Sequence, residues 1–131
     1  MNKFREILDE SLRAASSGEI DEALRQLSKG VKDASRQGEQ RWLVLLAKNA
    51  GLLFERKGKL NQARTFYRTA LQCNKSDPYL HLSLAQICTK LGQKTAARRH
   101  FDACYELAAE QNEHDLLKLL KQYRRNTELA A

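Results

Sequence analysis

The sequence predicts an all-α protein of antiparallel helix pairs, with about seven helices in one domain spanning residues 1–131. Three observations carry that expectation. Apolar residues recur at the helical period through nearly the whole chain. Punctuation is sparse, with one proline and six glycines, and four of the glycines fall where a periodic segment stops. Finally, the stretch GKLNQARTFYRTAL, Gly58 to Leu71, returns 34 residues later as GQKTAARRHFDACY, with Gly58 answered by Gly92, Ala63 by Ala97, Tyr67 by Phe101 and Ala70 by Cys104.

The helices follow in order. In the first, Phe4, Ile7, Leu8 and Leu12 share a face, and Gly18 ends it. In the second, Ile20, Ala23, Leu24, Leu27, Val31 and Ala34 repeat over four turns as far as Gly38. A third runs from about Glu39 to Lys57 before Gly58, and a fourth from about Leu60 to Cys73. Asp77 suits an N-cap and Pro78 the first helical position, where its missing N–H costs nothing, so the fifth starts there and ends at Gly92. A sixth covers about Lys94 to Glu110. A seventh begins near Glu113, puts Leu116, Leu119, Leu120 and Tyr123 on one face and ends near Asn126, leaving the tail TELAA to fray. A glycine just past a helix can take the left-handed conformation that closes it, which fits Gly18, Gly58 and Gly92 to tight joints within helix pairs.

Composition bounds the function. The 42% hydrophobic content supports a packed core, and no window reaches the ~18 apolar residues of a membrane span. The N-terminus, MNKFREILDESLRAA, mixes acids with its apolar residues and does not read as a signal peptide. A monomeric protein of the cytoplasm is expected. The three cysteines, Cys73, Cys88 and Cys104, form no CxxC pair and fall at apolar or small positions, so all three are expected as buried free thiols. The net charge is +7, spread evenly: residues 1–65 carry 13 basic and 9 acidic side chains, residues 66–131 carry 10 and 7. Such a balance steers acidic partners without specifying nucleic acid.

Two antiparallel helices approach closely only where a small residue faces the partner, the role that suits Ala63 and Ala97. A ring one turn on, Tyr67 or Phe101, is expected to fill the space between successive pairs. This pattern resembles the tetratricopeptide repeat family over Val44–Ser76 and Pro78–Gln111: the small position before the loop matches Gly51 and Ala85, the loop glycine Gly58 and Gly92, and the regular alanine Ala63 and Ala97. It departs where the family's early tryptophan position holds Ala47 and His81, with Trp42 outside the register, and where the closing proline would fall at Lys75. A weaker first repeat sets Gly18, Ala23, Leu27 and Gly30 against Gly58, Ala63, Tyr67 and Ala70 at an offset of forty, so extra residues around KDASRQGEQ should lengthen the helices flanking Gly38. The resemblance thus implies repeats at about 4–38, 44–76 and 78–111 and a capping helix at about 113–126, wound as a right-handed α-solenoid.

The resemblance further implies a concave groove, lined by the first helix of each pair, that holds a peptide of another protein. Carried over residue by residue, the groove positions are Arg5, Leu8 and Leu12; Leu45, Lys48, Asn49, Leu52 and Arg56; and Tyr79, Leu82, Ser83, Gln86 and Lys90. An apolar stripe edged by cations would take a segment with an apolar anchor and acidic flanks. The carboxylate clamp of the family's co-chaperones is incomplete: Asn49 matches one of its asparagine positions, or, with the second repeat taken as its start, Lys48 fits but Leu52 replaces an asparagine and the third repeat offers Ser83.

Catalysis has little support. His81, His100 and His114 lie on separate helices without a Ser/His/Asp or HExxH pattern, GLLFERKGK is not a phosphate-binding loop, and no metal-ligand spacing or cofactor motif is present. The leading expectation is therefore a non-catalytic interaction module, an adaptor or scaffold with no cofactor. The alternative is a basic helical nucleic-acid-binding protein using Arg98, Arg99 and His100 or Lys118, Lys121, Arg124 and Arg125. It lacks the row of stacking aromatics that role favours.

Overall fold

The computed structural model describes residues 2–130, with side chains through residue 125. Among the described residues it contains seven α-helices: α1 (Lys3–Ser16), α2 (Ile20–Arg36), α3 (Gln40–Arg56), α4 (Leu60–Cys73), α5 (Pro78–Lys90), α6 (Lys94–Glu110) and α7 (His114–Ala130). Helices α2 and α3, which flank Gly38, each run 17 residues, against 14 in α1 and α4 and 13 in α5, and α6 reaches 17 as well. One boundary differs from expectation. Helix α7 continues to Ala130, past the end foreseen near Asn126, because nothing in RRNTELA breaks a helix. The last residue of the tail, Ala131, lies outside the described residues.

Five of the six joints are one device. Gly18, Gly38, Gly58 and Gly92 have positive φ, between 69° and 85°, and Asn112 takes the same position at φ 55°. In each, the amide after that residue donates back to the last helical turn: Glu19 to Ala14 O at 2.8 Å, Glu39 to Ala34 O at 2.9 Å, Lys59 to Phe54 O at 2.9 Å, Gln93 to Cys88 O at 2.8 Å and Glu113 to Ala108 O at 2.9 Å. This six-to-one bond satisfies a terminal carbonyl and folds the chain back on itself. The sixth joint, between α4 and α5, is built differently. There Asp77 accepts from the Tyr79 amide at 2.9 Å, with Pro78 opening the helix, as the sequence indicated.

The chain forms two compact units, Met1–Lys75 and Ser76–Ala131. In the first, α1 packs on α2, α2 on α3 and α3 on α4, and α1 also touches α3. Its buried side chains include Ala23, Leu27, Ala34, Leu46, Ala47, Ala50, Ala63 and Ala70. Two glycines let helices approach. A Cβ on Gly30 would stand 3.1 Å from methyls of Ile7 and Leu46, and one on Gly51 would stand 2.9 Å from the Tyr67 ring. Tyr67 therefore packs within its own helix pair, against Gly51. Its hydroxyl donates to Glu55 Oε1 at 3.2 Å, which gives a nearly buried phenol its polar partner.

In the second unit α5 packs on α6, and α6 on α7. Leu82, Cys104, Ala108, Leu116 and Leu120 form a core cluster, with Phe101, Tyr105 and Leu117 packed against it. Of the apolar face foreseen for α7, Leu116 and Leu120 are buried, Tyr123 packs on the Phe101 ring while partly exposed, and Leu119 is left exposed.

Candidate functional site

Helix α3 shows how the sequence divides its leucines. Leu43, Leu46, Ala47, Ala50, Gly51 and Leu53 point into the first unit. Leu45 and Leu52, seven residues apart and so on one side of the helix, remain 43% and 42% exposed. Leu12 of α1 is 44% exposed, whereas Leu8 is half-buried. Arg5 and Arg56 are exposed and Lys48 is half-buried. Asn49 is also half-buried and turns its amide onto its own helix, donating to Leu45 O at 2.8 Å. The first unit thus presents three accessible leucines with cations on the same two helices.

The N-terminal end of α3 carries a feature that the family positions omit. Trp42, set aside by its register, is half-buried and stacks on Phe4 of α1, with ring centroids 6.4 Å apart and planes 25° apart. Beside it lies a recess of about 610 Å³ lined by Arg5, Gly38, Glu39, Gln40, Arg41, Trp42 and Leu45. The signal was present in the sequence as the chain's one tryptophan next to an arginine at a helix start.

In the second unit the candidate residues separate. Tyr79 is 48% exposed and its hydroxyl donates to Glu113 Oε2 at 3.3 Å. Leu82 is a correction: it is 9% exposed and belongs to the core under α7, so it offers no docking surface. Ser83 is half-buried. Gln86 and Lys90 line a smaller recess of about 270 Å³ with Thr89, Phe101 and Tyr123. The cations of the nucleic-acid alternative are exposed, but Arg124 is committed to Asp102 at 3.6 Å and to the Tyr105 ring at 5.7 Å.

Two histidines that the sequence left unrelated meet. His81 Nδ1 of α5 and His100 Nδ1 of α6 are 3.1 Å apart, and the ring centroids 5.3 Å. The nitrogen gap leaves only the two ring radii to make up the centroid separation, so the nitrogens face each other nearly head-on. That geometry suits one N–H donating to the other ring's lone pair. It does not suit a chelate, because an ion held at the ~2.0–2.1 Å of a zinc–imidazole bond from both nitrogens lies off the line between them, whereas the ring nitrogens here point along that line. Burial lowers the His81 pKa below 6.5, partly opposed by the Asp77 carboxylate. Among the described residues no three His, Cys, Asp or Glu side chains come together as metal ligands.

The cysteines also divide. Cys88 and Cys104 are fully buried, and burial, then the Asp77 charge, pushes the Cys104 thiol up to about 11. Cys73 is only half-buried, contrary to the expectation for all three, because it is the last residue of α4 and its final turn is open on one side.

With the helix pairs, glycine turns and small-residue contacts described, comparison with known families is decisive. The tetratricopeptide repeat model matches residues 49–77 and 78–111. Residues 49–111 carry two tetratricopeptide repeats. This is a protein-interaction fold, and solved structures share it at low identity. PcrH, in complex with the chaperone binding region of PopB, superposes with a TM-score of 0.75 at 16% identity, covering 92% of this chain and 93% of that one. The first repeat domain of Spaghetti (RPAP3), bound to the HSP90 peptide SRMEEVD, gives 0.74 at 20% identity, covering 98% and 94%. The type III secretion translocator chaperone SycD of Yersinia enterocolitica gives 0.68 at 13% identity, covering 95% and 96%. No curated protein sequence matches the tetratricopeptide-repeat chain. None of its helices is long and apolar enough to cross a membrane, among the described residues.

Proposed function

We propose that this chain is a non-catalytic adaptor of the cytoplasm, acting as a monomer, whose α1 and α3 face binds a linear segment of a partner protein. Residues 4–38, 44–76 and 78–111 serve as three repeats of the interaction domain, with the final helix as a cap. The observation that carries the reading is the exposure of Leu12, Leu45 and Leu52 at positions where the repeat family presents its ligand-facing side chains. An exposed leucine alone means little, but three on two neighbouring helices mark an interaction surface. Arg5, Lys48 and Arg56 on the same helices favour a segment with an apolar anchor and acidic flanks. Two structural relatives bind segments of other proteins, PcrH that of PopB and RPAP3 that of HSP90. In the second unit, Tyr79, Gln86 and Lys90 are the remaining candidate contacts.

The test begins with affinity capture of partners from a lysate of the source organism and mapping of a recurring linear segment among them. Leu52→Asp should then weaken binding of that segment by about 2 kcal/mol or more, as removal of a central apolar anchor does. Circular dichroism should show unchanged helicity, since Leu52 is 42% exposed. Lys48→Glu should act mainly on association rate and salt dependence. Unfolding of Leu52→Asp would place Leu52 in the core and refute the reading.

A further inference from the structure

We propose that the recess around Trp42 is a second anchoring point on this face, which takes an acidic segment of a partner protein with an apolar side chain next to its carboxylates. The proposal rests on the reading of the α1 and α3 face as a peptide-binding surface and adds the residues Arg41 and Trp42 to it.

The site is built from two helices. Phe4, only 4% exposed, supports the Trp42 indole from one side. The Lys3 ammonium lies 5.1 Å above the Phe4 ring, so the stack is held from α1 as well as α3. Trp42 and Leu45 give the recess an apolar wall, and Leu45 is 43% exposed. Arg5 comes from α1 and Arg41 from α3, so two arginines on different elements line one cavity. Its volume, about 610 Å³, is in the range that buries a side chain or small ligand, roughly 300–1,000 Å³.

Charge selects the occupant. Several arginines of this protein are paired within it: Arg25 with Glu22, Arg36 with Asp33, Arg124 with Asp102. Among the described residues Arg5 and Arg41 make no ion pair or hydrogen bond, although Glu39 lines the same recess. Planar guanidinium groups left over at an aromatic wall match a carboxylate with an apolar neighbour, since they bind carboxylates in a bidentate manner. A nucleic-acid strand fits less well. Leu45 has no polar role, and one indole does not make the succession of stacking rings that a strand follows.

Trp42 is the only tryptophan of the chain, so its emission reports on the recess directly. The probes are a short synthetic peptide blocked at both ends, with a central Leu flanked by Asp, its counterpart with Lys in place of Asp, and an oligothymidine. Binding is followed by Trp42 emission and by calorimetry. The acidic peptide should shift the emission saturably and the basic one should not. The double variant Arg5→Glu, Arg41→Glu, which changes exposed residues and should keep its helicity, should weaken the acidic peptide about tenfold. Binding that Leu52→Asp abolishes but the double variant leaves intact, with unchanged emission, overturns the recess and keeps the groove. Binding sensitive to the double variant but not to Leu52→Asp keeps the recess and overturns the groove as its extension. No emission change with the acidic peptide, or tighter binding of oligothymidine, overturns the proposal.

Discussion

Gly51 shows what a single atom decides in this fold. A helix-interior glycine normally costs about 1 kcal/mol relative to alanine, so Gly51→Ala gains that much in local propensity. Against it stands the Tyr67 ring, 2.9 Å from where the Cβ would sit. The ring is rigid, 4% exposed and tied through its hydroxyl to Glu55, so it cannot yield cheaply. Overpacking of this kind costs about 1–3 kcal/mol. Gly51→Ala is therefore expected to lower the melting temperature. Gly30→Ala should do less harm, because its 3.1 Å neighbours are methyl ends of Ile7 and Leu46, which can shift by rotamer. Thermal unfolding of both variants checks the order, and a reversed order would contradict the Gly51–Tyr67 contact. The histidine pair makes a second residue-scale prediction. Burial holds the His81 pKa below 6.5, so below that pH the unfolded chain binds more protons at this site than the folded one. The contribution to stability is full above the unfolded pKa and is lost as the pH falls through the folded one. The melting temperature should drop on acidification from pH 7 to 5, and less steeply in His81→Gln. Equal slopes for the two proteins would exclude the pair as the cause.

At the scale of elements the turns are the most regular part of the molecule and show where sequence reading succeeds. Gly18, Gly58 and Gly92 were legible as helix ends because only glycine enters the left-handed region without strain. The joint between α6 and α7 was harder to read, because its left-handed residue is Asn112 rather than glycine. Spacing offered the missing signal, since Asn112 follows Gly92 by the same twenty residues that separate Gly18, Gly38 and Gly58. Asparagine tolerates this conformation and a β-branched residue does not. Asn112→Val should therefore destabilise the second unit by about 1–2 kcal/mol, and Asn112→Gly should match or exceed the parent protein. Chemical denaturation of the three proteins measures this. Equal stability of the valine and glycine variants would mean that the turn does not hold its positive φ.

At the scale of the whole molecule, the sequence carried the helix order, the repeat spacing and the division of Ala63 and Ala97 from their exposed neighbours, because each depends on local periodicity. It did not carry what depends on packing between helices distant in the chain. Leu82 has the same apolar character as Leu52, and only the cover of α7 makes one core and the other surface. Trp42 became part of the candidate site through Phe4, thirty-eight residues away, and His81 met His100 across a turn that periodicity cannot orient.

The cysteines turn this hierarchy into a measurement, because they sample both units. Thiol reagents attack the thiolate, so a buried cysteine reacts only when its surroundings open. Cys73, half-buried at the end of α4 in the first unit, should label fastest in the native protein. Cys88 and Cys104 lie on facing helices of the second unit, both fully buried, and the Cys104 thiol is pushed up to about 11, which suppresses its native thiolate further. Both must wait for α5 and α6 to separate. If that unit opens as one cooperative block, their labelling rates should share one dependence on denaturant, equal to that of the unit's unfolding, while Cys73 shows a weaker one. Mass spectrometry after timed labelling resolves the three sites. A distinct, weaker denaturant dependence for Cys104 would mean that α6 and α7 part from α5 locally, and that the core around Leu82 is not the element that holds the second unit together.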